Sequence, residues 1–128
     1  MGDKPVFIAD PKSWLAQISA ANTNRDGTGT LVDVLTVAAA LGARIDSIVV
    51  QAIGTTTAGM VRLFLFDGTN TRLWRELAVS AIVPSGTVQA FRDSIPLGEG
   101  LILPVGWKLK AGTHNAETFN IIASGGNL

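Results

Sequence analysis

Through most of the chain, apolar and polar residues alternate with a period of two, and turn residues break the alternation at roughly ten-residue intervals. Met60 to Phe66 places Val61, Leu63 and Leu65 on one face. Asp67-Gly68-Thr69-Asn70 follows, a hairpin signal between apolar runs. Thr71 to Val79 sets Leu73, Leu77 and Val79 on one face, with Trp74 and Glu76 on the other. Thr87 to Leu97 and Leu101 to Leu103 read as two strands parted by a turn at Gly98-Glu99-Gly100. Trp107-Lys108-Leu109-Lys110-Ala111 alternates most cleanly, apolar residues in and lysines out. Thr30 to Ala38, Arg44 to Ile53 and Thr118 to Ser124 complete the set. Leu31 to Leu41 also fits a helical period, but its β-branched content and flanking glycines favour a strand. About eight short strands at this spacing predict an all-β chain, a single jelly-roll-like β-sandwich.

The first 29 residues do not share this rhythm. Phe7, Ile8, Trp14, Leu15 and Ile18 are apolar islands without a sustained period, and Asn22 to Gly29 is polar and turn-rich. The expected organisation is an N-terminal arm, or an arm with one short strand, over 1–29 and a sandwich domain over 30–128. Lys12 to Ala21 also fits a short helix, with Asp10 as its cap and Pro11 in its first turn. An isolated helix of that length is marginal in water.

Charge narrows the function classes. Lys plus Arg is 10 and Asp plus Glu is 10, so the formal charge is zero. That argues against a non-specific nucleic-acid binder or a polybasic membrane-surface protein. No segment reaches the roughly 18 apolar residues of a membrane span, and Met1 to Pro5 does not open a signal peptide. Neither nucleic acid nor membrane is expected as a partner. Charged residues make up 16% of the chain against about 25% in ordinary domains, which leaves much neutral surface for other subunits to cover.

Candidate chemistry is sparse. There is no cysteine and one histidine, which excludes disulfides, thiolate nucleophiles and Cys- or His-rich metal centres. Gly54-Thr55-Thr56-Thr57-Ala58-Gly59 has two glycines at phosphate-loop spacing, but Met60 and Val61 stand where Lys and Ser/Thr are needed. Asp67-Gly68-Thr69-Asn70 lacks the closing carboxylate of a calcium loop. Ser85 and Ser124 lack the strained elbow of a Ser–His–acid hydrolase, and the acids are scattered one per element. His114 and Glu117 are too few ligands for a metal. No catalytic residue, metal or cofactor is therefore assigned. Trp107 is expected in the core. Exposed indoles on a neutral β domain more often anchor interfaces than bind ligands. The candidate interface residues are Phe7, Ile8, Trp14, Leu15, Trp74 and His114.

Four stretches resemble small virion proteins of tailed bacteriophages. They are Asn22 to Gly29; Ile53-Gly54-Thr55-Thr56-Thr57-Ala58-Gly59-Met60-Val61-Arg62-Leu63-Phe64; Asp67 to Asn70 with Leu73-Trp74; and Lys110-Ala111-Gly112-Thr113-His114-Asn115-Ala116. The resemblance runs from about Asn22 to the C-terminus and is greatest to capsid decoration (cement) proteins. It implies a small sandwich made in the host cytoplasm and carried on the capsid surface. Its partners would be the major capsid protein and copies of itself, as a dimer or trimer. A tail, neck or fibre component of the same particle is the second expectation, and a carbohydrate-binding sandwich the third.

Overall fold

The computed structural model describes residues 8–128. Among these residues there are eight strands and no helix: β1 (Asp10–Ile18), β2 (Val32–Thr36), β3 (Ala43–Ala52), β4 (Gly59–Phe66), β5 (Thr71–Val79), β6 (Arg92–Leu103), β7 (Lys108–Thr113) and β8 (Phe119–Asn127). They form two four-stranded antiparallel sheets, ordered β1-β8-β3-β6 and β2-β7-β4-β5. The pairing is nested. β1 pairs with β8, β2 with β7, β3 with β6 and β4 with β5, and successive pairs fall in alternate sheets. The two sheets pack as the all-β sandwich expected from the strand count.

The core lies between the sheets and follows the period-two pattern. Ile45, Ile48 and Val50 of β3 and Phe119, Ile121 and Ala123 of β8 face Val61 and Leu63 of β4 and Leu109 and Ala111 of β7. Phe91 meets Phe119 edge to face, centroids 6.3 Å apart. Each fully buried Val, Leu, Ile or Phe side chain among them contributes about 1.5–3 kcal/mol by leaving water.

The structure differs from the sequence expectations in four places. Residues 10–18 are the one short strand that the N-terminal reading allowed, not a helix, and they belong to the sandwich rather than to an arm. β1 pairs with β8 along its whole length, and Ile18 enters the core, so the sandwich begins before residue 30. Gly98-Glu99-Gly100 is not a turn. Ile45 pairs with Leu101 and Ser47 with Pro96, so β6 continues through Leu97–Gly100 as a bulge while β3 supplies only Asp46. Residues 87–91 are loop rather than strand. In β5, Leu63 pairs with Arg75 and Phe64 with Leu73, leaving Trp74 as a bulge residue. The bulge resets the alternation, placing Leu73 opposite outward-facing Phe64 and packing Trp74 against the core.

The polar stretch after β1 is a strap over the outer side of the second sheet. Asn22 bonds through its backbone N–H to Thr113 O at 2.8 Å. Its carboxamide donates to Thr28 O and Thr30 O, both at 3.0 Å, and accepts from Asn24 N–H, so one side chain holds the loop closed. Leu31 comes so close to Gly112 that a Cβ there would lie 2.9 Å from Leu31 Cδ2. Arg62 and Phe64 point away from the core and are nonetheless buried, and Arg62 Nη1 donates to Asn22 O of this strap.

Candidate interaction surface

The outer face of the first sheet is built from the positions that alternate with its core residues. The register lines up three adjacent rows across all four strands, and beyond the bulge Pro11, Gly126, Arg44 and Ile102 form a fourth. Gln17, Asn120, Gln51 and Arg92 form the first row, Leu15, Ile122, Val49 and Ser94 the second, and Ser13, Ser124, Ser47 and Pro96 the third. Gln17 Nε2 donates to Asn120 Oδ1 at 2.9 Å, and Arg92 Nη1 donates to Gln51 Oε1 at 3.2 Å. The middle row is apolar over three strands, and Leu15 is 72% exposed. Arg92 is the one charged residue in the three rows. Ser47, Val49, Arg92, Asp93, Ser94 and Pro96 line a shallow hollow of about 460 Å³ on the β3–β6 side of this face.

The first sheet carries the Lys12–Asp10 and Arg44–Asp46 pairs at 3.3 and 2.8 Å, and the other sheet carries ion pairs as well. There Asp33 pairs with Lys108 at 3.0 Å and with Lys110 at 3.5 Å, and both lysines lie over the Phe66 ring. Burial pushes the Asp33 carboxyl up, but the bond and charge of Lys108, with the charge of Lys110, hold it below the ordinary aspartate value. Arg62 and Arg25 both bond Glu76 Oε2, at 2.8 and 2.7 Å. These bonds, that of Arg25 first, hold the Glu76 carboxyl below the ordinary glutamate value.

No family model and no curated protein matches the chain. Among solved structures, a chain in the crystal structure of the T13 IBDV viral particle is similar over 94% of this chain, with 11% identity and a TM-score of 0.43. The match covers 32% of that chain, so this protein spans about a third of its length.

The candidate interface residues do not form one patch. Leu15 lies in the apolar row. Trp14, its neighbour in β1, alternates inward opposite Ala123 and packs half-buried on the core. Trp74 also packs on the core, with Arg75 over its ring at 5.4 Å. Trp107 packs there too, half-buried. His114 is half-buried, its Nδ1 3.2 Å from Arg62 Nη2. Ile8 is half-buried, and Phe7 lies outside the described residues. Val49 and Ile122 are the interaction candidates that the sequence reading missed. Their signal was an apolar residue at the solvent-side position of a strand whose other face was already apolar.

The uncharged stretches 47–61 and 77–91 meet at one end of the sandwich. Thr56 pairs with Ile82, and Thr56 Oγ1 donates to Ser80 O at 2.8 Å. This end exposes Ile53, Val83 and Val88. At the opposite end, loops 37–42 and 104–107 are joined through the backbones of Val37, Gly106 and Trp107, and expose Leu41 and Val105.

Proposed function

We propose that this chain is a non-enzymatic structural protein of a virion, which seats on the outside of a tailed-phage capsid at capsomer junctions and stabilises the shell. The observation that carries the reading is the outer face of the β1-β8-β3-β6 sheet. It offers an apolar row, Leu15, Ile122 and Val49, between a carboxamide row and a hydroxyl row. Interface cores are depleted in charge, because docking a charged surface desolvates the ions. These three rows have little charge to desolvate, and the ion pairs of both sheets lie outside them. The neutral loop ends give the same molecule further contacts, and several modest contacts bridging neighbouring subunits add through effective concentration. Copies of the chain associating as a dimer or trimer belong to the same reading, as does the resemblance of residues 22–29, 53–64 and 110–116 to decoration proteins.

The test is antibody labelling of particles from a producing culture, imaged by electron microscopy. Label spread over the heads is the expected result. Label confined to the tail or one vertex replaces this reading with a tail, neck or fibre component. No label on any particle overturns both. A glycan screen then becomes the next experiment, although all three indoles are packed on the core.

A further inference from the structure

On the opposite side of the sandwich, where the strap meets the second sheet, Arg25, Ala58, Gly59, Met60, Arg62 and His114 line an open hollow of about 180 Å³. Arg62 is 2% exposed and its guanidinium is fixed at three points. Nε donates to Glu76 Oε2 at 2.8 Å, Nη1 donates to Asn22 O at 3.4 Å, and Nη2 lies 3.2 Å from His114 Nδ1. A guanidinium can only donate, so Nδ1 accepts and the neutral ring carries its proton on Nε2. His114 thus adds a donor, not an acceptor, to the site. Arg25 uses Nε on Glu76, and among the described residues its two Nη groups have no partner. The polar side chains among the lining residues are those of Arg25, Arg62 and His114, and none is a carboxylate. Of the nearby carboxylates, Glu76 is shared by both arginines through one oxygen, and Glu117 is held by the Thr57 N–H and hydroxyl at 2.8 and 2.7 Å. Neither lines the hollow.

We propose that this hollow binds one small oxyanion, a carboxylate or a phosphate. Cavities for cofactor-sized ligands run to about 300–1,000 Å³, so this one takes a single functional group. Arginine suits both anions because its planar fork matches their paired oxygens. Arg62, locked by the sheet and strap, is a preformed wall, and Arg25 is the adaptable member that reaches from the strap.

The test is a nuclear magnetic resonance titration of the uniformly ¹⁵N-labelled full chain at pH 7. Sodium phosphate and sodium acetate are added in separate arms, each against sodium chloride at matched ionic strength. The expected result is a saturable shift confined to Arg25 Nε–H, the Gly59 and Met60 amides and the His114 ring. Arg25→Gln weakens it at least tenfold, whereas Arg72→Gln, at an exposed arginine of the same sheet, leaves it intact. Saturation by acetate assigns a carboxylate site and saturation by phosphate alone a phosphate site, and either supports the proposal. Shifts that grow linearly, that chloride reproduces, or that survive in Arg25→Gln overturn it. Thermal melts of both variants establish that they are folded, and Arg25→Lys, which keeps the charge but not the fork, is expected to bind with intermediate affinity.

Discussion

Arg62 and Glu76 face each other across β4 and β5, Nε to Oε2 at 2.8 Å, and the arginine is the buried member. Its side chain is 3% exposed, against 29% for the carboxylate. The two ends of the pair are therefore not equivalent. Removing Glu76 strands a buried cation, which is costly because no water replaces the lost partner. Removing Arg62 leaves Glu76 with Arg25 and partial access to solvent. Arg62→Met is expected to cost about 1–3 kcal/mol, because the Asn22 carbonyl and His114 Nδ1 lose their donor. Glu76→Ala is expected to cost more. Urea unfolding of both variants checks the order, and the reverse order would show that the guanidinium finds water in the strap.

Acid should loosen the same region. The Glu76 carboxyl is held low by its bonds to Arg25 and then Arg62, and that of Asp67 by the backbone N–H groups of Asn70 and Thr69. A carboxyl depressed in the folded state contributes stability that is fully present above its unfolded value and lost as pH falls through the folded one. For Glu76 the loss begins near its ordinary value of 4.5 and continues below it. The urea midpoint is therefore expected to fall between pH 5 and pH 3, and to fall less steeply in Glu76→Gln. Equal slopes would mean that the pair forms no tighter in the folded chain than in the unfolded one.

Asn22 and Gly29 give a sharper test of the strap. Gly29 has a φ of +87°, and a Cβ there would lie 2.7 Å from Asn22 Nδ2. Gly68 has a φ of +99° with open space around it. Alanine at either position meets about 1–2 kcal/mol of left-handed backbone strain. Only at Gly29 must it also displace the carboxamide that closes the loop. Gly29→Ala is expected to destabilise more than Gly68→Ala, and to speed hydrogen exchange at the Asn24 amide. Equal effects would show that the clip gives way freely.

The strand count, the core faces of β3, β4, β7 and β8, and the Asp67–Asn70 hairpin were legible because period-two alternation and turn residues are local signals. What was not legible depended on partners distant in sequence. Trp74 and Leu73 changed faces because β5 carries one more residue than β4 at the bulge. Gly98 to Gly100 looked like a turn because the sequence does not show that β3 runs alongside to keep the strand going. Arg62 interrupts an apolar run, a signal that could have been read as a buried charge, but its carboxylate lies 14 residues on and its covering strap lies 40 residues back. Leu15 was found and Ile122 and Val49 were not. The apolar row exists only in the register of β1, β8 and β3.

β1 was the least legible strand, and it makes a direct prediction. Removing residues 1–20 takes away the edge strand that pairs with all of β8, and with it Ile18 from the core. A fully buried isoleucine alone is worth about 2–5 kcal/mol. The truncated chain is expected to lose its cooperative thermal transition. A sharp transition at an unchanged temperature would make β1 a detachable arm, as the composition of the segment suggested.

The docking face is tested by separating stability from binding at Leu15. Its side chain is exposed and in the middle row, so Leu15→Asp should change folding stability by no more than about 0.5 kcal/mol. The same change puts a charge into a face whose three rows hold only Arg92, and docking must then desolvate it. Binding to purified shells, or self-association followed by sedimentation, should weaken at least tenfold, or about 1.4 kcal/mol. Leu41→Asp and Val83→Asp place the same charge on the two loop ends, at residues as exposed as Leu15. A loss confined to Leu15→Asp assigns the contact to the sheet face. A loss confined to Leu41→Asp or Val83→Asp moves it to that end of the sandwich and leaves the row as ordinary surface.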